Sequence, residues 1–257
     1  VPTDPAPAAR FSDRVADYVK ARPTYPRAVT DVLRDATGLR DGWVVADVGC
    51  GTGISARLLL DAGCHVVGVE PNDAMRAAAD AALAGERRWR SVAAPAEATT
   101  LGGASVDLVV AAQAFHWFDG SAARREFRRI LRGARPVALI WNDRKAGGTP
   151  FLDGYESLLE TFGTDYSTVN HRNVGDGGVA AFFTPAAFTK TVLPNAQQLD
   201  LAGLLARLAS SSYMPAPGHP RHAAMVDAAK ALFDRTNTDG IVEILYETQV
   251  YVGRLSG

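Results

Sequence analysis

The apolar positions of the chain change period several times, and those changes divide it into elements. In "FSDRVADYVKAR", Phe11, Val15, Tyr18, Val19 and Arg22 share one helical face, so a helix is expected there, with Ser12 able to cap its start. "RPTYP" must then run extended, because residues before proline avoid the α region. A second helix is expected from about Arg27 to Thr37, stopped by Gly38. Strand and helix periods alternate from there. "WVVADVG" is a buried strand, "GCGTG" a turn, "ISARLLLDA" a helix ended by Gly63, and "CHVVGVE" a second strand. Asn72 caps the helix "DAMRAAADAAL"; "WRSVAA" is a weak third strand and "VDLVVAA" a fourth. Asp119 caps the helix "SAARREFRRILR", which Gly133 ends, and "PVALIW" is a fifth strand. Strands separated by helices of this length predict βαβ units, a parallel sheet and right-handed crossovers.

After Asn142 the pattern loosens. A helix near Phe151–Phe162 is followed by "GTDYSTVNHRNVGDGGVAAFFTP", a length that in compact domains marks a functional lid or disorder. "AFTKTVLP" reads as a strand, and "LAGLLARLASSS" and "HAAMVDAAKALFDR" as helices. The final stretch, "GIVEILYETQVYVGRL", alternates Ile241, Glu243, Leu245 and Glu247, which predicts an apolar face and an antiparallel strand at or near a sheet edge.

The chain has 257 residues, enough for one large domain, expected over 11–257 behind a flexible Pro/Ala-rich 1–10. A formal net charge of −1 supplies no field for nucleic acid or an anionic membrane. No window of about 18 consecutive apolar residues predicts a membrane span, and "VPTDPAPAA" has neither the basic nor the apolar region of a signal peptide. The only cysteines, Cys50 and Cys64, make no disulfide framework, so a reducing, cytoplasmic setting is expected. Arg124, Arg125, Arg128, Arg129 and Arg132 form the solvated face of an amphipathic helix. His219 and His222 lack partner ligands, and no metal is expected.

Chemistry is first visible in "VVADVGCGTG", a strand running into a glycine turn and then a helix. Gly49, Gly51 and Gly53 allow tight bending and close approach to a ligand at the carboxyl end of a strand. A dinucleotide fold would want a third glycine where Ile54 stands, which disfavours a nicotinamide dehydrogenase. Asp47 is placed to receive an ammonium group, and Glu70, ending the next strand, to accept from two ribose hydroxyls. Together they suit an amino-acid-bearing nucleoside.

"ADVGCGTG", "VGVEPN" and "VDLVVAAQAFHWF" resemble the successive motifs of class I S-adenosylmethionine-dependent methyltransferases. "YVKARPTYP" and the later "LASSSYMP" and "ETQVYVGRL" are similar to a bacterial small-molecule branch. The resemblance implies a Rossmann-like α/β fold. Its seven-stranded sheet is mostly parallel with an antiparallel C-terminal strand, and helices cover both faces. It implies an arm over the cofactor at 11–40 and substrate-side insertions within 143–235. By position, Gly49, Gly51 and Gly53 pack against the methionine portion of S-adenosylmethionine, Asp47 takes its amino group and Glu70 its ribose. Pro71, Asn72 and Met75 line the adenine pocket, which Ala96 and Glu97 border. Gln113 and Ala114 lie beneath the methionine chain, and Tyr18, Arg22 and Tyr25 match the arm, Arg22 facing the free carboxylate. "GARP" departs from the Pro-Gly-Gly often found before the fifth strand of that branch.

Such an enzyme must hold a small acceptor in line with the methyl group and exclude water, releasing S-adenosylhomocysteine. His116 is the candidate general base and pocket wall. Trp117, Asn142 and Tyr213 are substrate-side candidates. Phe115 borders the same space, and His171 is a weaker candidate. Two alternatives stand beside this reading: an RNA-base methyltransferase, disfavoured by the near-neutral charge, and a non-catalytic S-adenosylmethionine-binding module.

Overall fold

The computed structural model describes residues 22–164, 175–211 and 213–255. The helix expected from Phe11, with Ser12 and Tyr18, lies outside the described residues, as does His171. The elements run α1 (Ala28–Thr37), β1 (Val44–Val48), α2 (Ile54–Asp61), β2 (His65–Val69), α3 (Asp73–Ala82), β3 (Trp89–Val92), β4 (Leu108–Ala112), a 3₁₀ turn (Phe115–Trp117) and α4 (Gly120–Ile130). They continue as β5 (Pro136–Arg144), α5 (Pro150–Phe162), α6 (Gly175–Phe183), β6 (Phe188–Leu199), α7 (Leu201–Ala209), α8 (His222–Thr236) and β7 (Val242–Arg254).

Local chemistry places the boundaries. Gly38 ends α1 at φ 77°, donating its N–H to Arg34 O. Asn72 caps α3 by accepting from Met75 N at 3.0 Å, and Asp119 caps α4 by accepting from Ser121 N and Ala122 N, each at 3.0 Å. Helix α4 stops earlier than its apolar period suggests. Leu131 leaves the helix for an extended conformation and bridges to Val106, so the chain has already turned before Gly133.

The strands form one seven-stranded sheet in the order β3-β2-β1-β4-β5-β7-β6. β1 to β5 are parallel, and β7 runs antiparallel to both β5 and β6. The last strand is therefore inserted one place in from the edge. Pro136 opens β5, where its missing N–H is tolerable.

The apolar face of β7 differs from the expected one. Ile241, Glu243, Leu245 and Glu247 are two residues apart, so they share a side, and it is the wetter one; Ile241 is 38% exposed. Val242, Ile244, Tyr246, Thr248 and Val250 form the buried side.

Two hydrophobic clusters cover the two sheet faces. Ala46, Val48, Val67 and Val69 pack with α4 and α6 on one. Val45, Val66, Val110 and Ile140 pack with α1 and α2 on the other. A third cluster comes from the late segments. β5 pairs with β7 only as far as Arg144 opposite Tyr246. Beyond that, Val242–Leu245 pair with β6 alone, and this two-stranded ribbon carries α5, α7 and α8 past the carboxyl edge of the sheet.

The arginine face of α4 is less solvated than its pattern implies. Arg124 donates to the carbonyls of Phe182 and Thr184 at 2.9 and 3.1 Å. Arg129 pairs with the buried Glu126, and Arg132 with Asp107. Cys50 and Cys64 are buried and free. Among the described residues, no helix is long and apolar enough to cross a membrane and no cluster of His, Cys, Asp and Glu could hold a metal.

Candidate functional site

The parallel strands deliver their carboxyl ends to one edge, and the sequence-predicted residues of β1, β2 and β4 meet there. The turn after β1 has φ of 71°, 54° and 85° at Gly49, Gly51 and Gly53, a region that side chains disfavour. At Gly49 the need is steric as well: a Cβ there would lie 2.5 Å from the Cβ of Ala114. The absent side chain lets the β1 turn rest against the end of β4. Both Gly49 N and Cys50 N donate to Val69 O, at 2.8 and 3.3 Å, which fixes the turn to β2.

Glu70 follows β2 and is 8% exposed. Its Oε2 accepts from Gly51 N at 3.0 Å and its Oε1 from Asn72 N at 2.9 Å. Burial pushes its carboxyl above the ordinary range, while the two backbone donors pull the other way. The carboxylate thus holds the glycine turn in place and keeps lone pairs on both oxygens.

Asp47 lies inside β1 and is fully buried. Ser55 Oγ, in the first turn of α2, donates to its Oδ2 at 2.7 Å. Burial pushes its pKa up to about 7; the Ser55 bond opposes the rise and the charge of Glu70 adds to it. Its Oδ1 is buried and meets no partner among the described residues, and the same holds for Thr52 Oγ1 in the glycine turn. Buried polar atoms are nearly always satisfied, so two orphaned oxygens, one in β1 and one in the turn that follows it, mark a place for a ligand.

Around these groups, Met75 and Ala96 are each 5% exposed and Pro71 is exposed. Glu97 Oε1 accepts from Asp119 N at 2.8 Å, tying the loop after β3 to the cap of α4. Gln113 leaves β4 at φ 55° and reaches across to donate from Nε2 to Asn142 O at 3.0 Å. The 3₁₀ turn then sets the His116 and Trp117 rings side by side, centroids 4.9 Å apart and half-buried.

Two sequence expectations are corrected here. Phe115 is 6% exposed and packs edge-on to Phe182, Trp141 and Phe118, so it belongs to the core and not to a pocket wall. Asn142 does not follow β5 but lies within it. Its Oδ1 accepts from Thr248 Oγ1 at 2.6 Å and Asn195 Nδ2 at 3.1 Å, and its Nδ2 donates to Thr24 O at 3.2 Å. The amide joins three elements, among them the segment ahead of α1.

That segment reaches over the edge. Asn195 Nδ2 also donates to Thr24 O, at 2.8 Å, and Arg22 Nη2 donates to Ser210 O at 3.0 Å. Tyr25 packs beside the Val29–Leu33 cluster. Tyr213 packs against the third cluster, with its carbonyl accepting from Thr164. Sequence reasoning passed over Thr52, Ser55, Thr24, Asn195 and Thr248. Only Ser55 had a local signal, eight residues after an acidic strand residue at the helix start.

Residues 46–134 match a family model described as a methyltransferase domain. The chain is 36% identical over 162 residues to an uncharacterized methyltransferase of Mycobacterium tuberculosis, covering 63% of this chain and 62% of that one. The chain thus spans about three fifths of the length of the curated relatives it matches. Among solved structures, a protein assigned as a type II methyltransferase from Anaeromyxobacter dehalogenans superposes with a TM-score of 0.68 at 25% identity, over 91% of this chain and 98% of that one. A [4+2]-cyclase shares the fold with a TM-score of 0.57 at 15% identity, over 97% and 94%. Residues 46–134 thus match a methyltransferase domain, and the sheet has the Rossmann-like fold of its methyltransferase neighbours.

Proposed function

We propose that the chain is an S-adenosylmethionine-dependent methyltransferase acting on a small metabolite by direct in-line transfer. The observation that carries this reading is the pair of buried carboxylates near the carboxyl ends of adjacent strands, flanking a glycine turn, with one orphaned oxygen on Asp47 and another on Thr52 of the turn. A ligand ammonium group suits Asp47 Oδ1, and a pair of vicinal hydroxyls suits the remaining lone pairs of Glu70. Asn72, Met75, Ala96 and Glu97 would border the base, and Gln113 and Ala114 the floor. Arg22, Tyr18 and Tyr25 would close the arm, within one domain spanning 11–257. When bound, S-adenosylmethionine supplies a methyl group already activated by its sulfonium.

The chain's own residues then have to hold the acceptor in line and keep water out, which is where His116 and Trp117 come in. His116 Nδ1 is buried, so we assign any proton transfer from the acceptor to Nε2. The near-neutral charge supports a small acceptor over RNA, and the two free, buried cysteines fit a reducing, cytoplasmic setting.

Calorimetric titration tests the cofactor: S-adenosylhomocysteine is expected to bind and NAD not to, and the absence of heat at high concentrations of both would overturn the reading. Because a [4+2]-cyclase shares this fold, binding alone does not establish transfer. A metabolite screen with methyl-labelled cofactor distinguishes an enzyme from a silent binding module. With an acceptor in hand, His116→Ala should lower kcat by about 100-fold and leave S-adenosylhomocysteine affinity within about twofold. Equal losses in both would make His116 structural.

The arm gives a separate expectation. Deleting residues 1–26 removes Arg22 and the Thr24 carbonyl that Asn142 and Asn195 hold. The truncated chain should release S-adenosylhomocysteine about tenfold faster in stopped-flow displacement, the equivalent of one lost charge-assisted hydrogen bond. Unchanged release from a folded truncation would count against the arm.

A further inference from the structure

Arg207 lies on the buried side of α7, between Leu204 and Leu208, and is only 6% exposed. An arginine buried to this degree is ordinarily paired with an acid. Among the described residues, no carboxylate makes an ion pair with it. Its Nη1 donates to Ser211 Oγ at 3.1 Å, and the guanidinium also bonds the hydroxyl of Tyr246, which donates onward to Gln197 Oε1 at 3.1 Å. Its Nε is buried and meets no partner among the described residues. The hydroxyl of Tyr155, from α5, is buried and orphaned in the same way. Two unsatisfied donors, one of them charged, therefore converge from two helices.

The neighbouring cation does not change this balance. Arg144 pairs with Glu156 and lies over the Tyr155 ring, 5.2 Å from its centroid. One positive charge is thus left facing tyrosine hydroxyls. The cluster also adjoins the nucleotide edge along two routes. Tyr246 is two residues before Thr248 on the buried side of β7, and Thr248 holds Asn142. Helix α7 ends at Ser210, whose carbonyl holds Arg22.

We propose that Arg207 Nε, with the hydroxyl of Tyr155, seats a carboxylate of the acceptor, which makes the substrate a small carboxylic acid. A guanidinium edge matches the planar two-oxygen group, and one uncommitted cation balances one negative charge. A dianionic phosphate would leave a buried charge uncompensated. The substrate role rests on the methyltransferase reading; the anion seat itself does not.

The test is calorimetry on the full chain, with and without saturating S-adenosylhomocysteine. The probes are benzoate and hexanoate, against benzamide, hexanamide and phenyl phosphate. The carboxylates are expected to bind at least tenfold more tightly than the amides and more tightly than phenyl phosphate. Arg207→Met should remove that preference, and Tyr155→Phe should weaken the carboxylates several-fold. Affinity for S-adenosylhomocysteine should stay within twofold in both variants. Should Arg207→Met fail to fold, Tyr155→Phe and Arg207→Lys carry the comparison. Equal binding of acids and amides, a preference for phenyl phosphate, or an undiminished preference in a folded variant overturns the seat. If S-adenosylhomocysteine fails to bind while benzoate still depends on Arg207, the methyltransferase reading falls and the seat stands.

Discussion

Glu70→Ala is expected to weaken S-adenosylhomocysteine binding by at least about a hundredfold, more than any other single substitution at the nucleotide edge. Hydrogen bonds to a charged acceptor contribute about 1.5–3 kcal/mol each, and the proposed site gives Glu70 two of them from the ribose. At about 1.4 kcal/mol per factor of ten, those two alone exceed a hundredfold. A second loss comes from the fold. Gly51 N and Asn72 N donate to the same carboxylate, and the substitution leaves both without their acceptor. The glycine turn then loses its tie to the end of β2, and the site is less well formed before any ligand arrives. Glu70→Gln separates the two effects, because its one amide oxygen can still accept from the turn while the charge is gone. It should bind better than the alanine variant and worse than the native chain. Isothermal titration of all three, with melting curves of the unliganded proteins, measures both parts. Native affinity in Glu70→Ala would remove the ribose assignment.

The nucleotide half of this molecule is legible because its signals are local. Buried valine runs, turn glycines and an acid at the end of each of two strands occupy a stretch of about thirty residues, and each acts on its sequence neighbours. Capping is local in the same sense, and Asn72 and Asp119 do what their positions imply. The acceptor half is different. Asn142 reads as a substrate-side residue just past the fifth strand, yet its partners are Thr24, Asn195 and Thr248, none of them within fifty residues of it. Nothing in the pattern around position 142 can announce them.

The last strand shows a related limit. "IVEILYETQVYV" has apolar residues on both sides of its period of two, so alternation alone does not say which side is inner. The choice is made by tertiary packing. The α5, α7 and α8 cluster takes Val242, Ile244 and Tyr246, and β5 on one flank with β6 on the other buries Val250, Tyr251 and Val252 together. Helix α4 ends early for the same kind of reason, since the bridge from Leu131 to Val106 outweighs helix propensity. Arg207 did have a signal, a lone charge on the apolar stripe of α7, but such a residue is informative only once its surroundings are known to lack an acid.

Affinity for S-adenosylhomocysteine should rise with pH through the acid range, level off above about 7, and fall once the ligand's own ammonium group loses its proton. Asp47, pushed up to about 7 by burial, is largely protonated in the unliganded chain at pH 6. A ligand ammonium group requires it ionised, so binding below pH 7 releases a proton, and affinity should gain up to about tenfold per unit. The descending limb belongs to the ligand, whose α-ammonium group must keep its proton to meet the Asp47 carboxylate. Stability carries the opposite sign. The folded pKa of Asp47 lies above the unfolded value of 3.8, so the native chain holds a proton that the unfolded chain has lost. The contribution of Asp47 to stability therefore falls as pH rises from about 4 to about 7 and is flat above, a swing on the order of 4 kcal/mol. Asp47→Asn keeps an acceptor for Ser55 and removes the charge. Relative to the native chain, the variant should be more stable at pH 8 than at pH 4. It should also bind S-adenosylhomocysteine at least tenfold more weakly at pH 8 and lose the acid limb entirely. A general disturbance of the fold would lower stability and binding together. Melting and titration at pH 5, 6, 7 and 8 thus decide whether the buried carboxylate is held there for a ligand's positive charge, and an acid limb that survives in Asp47→Asn would assign it to another group.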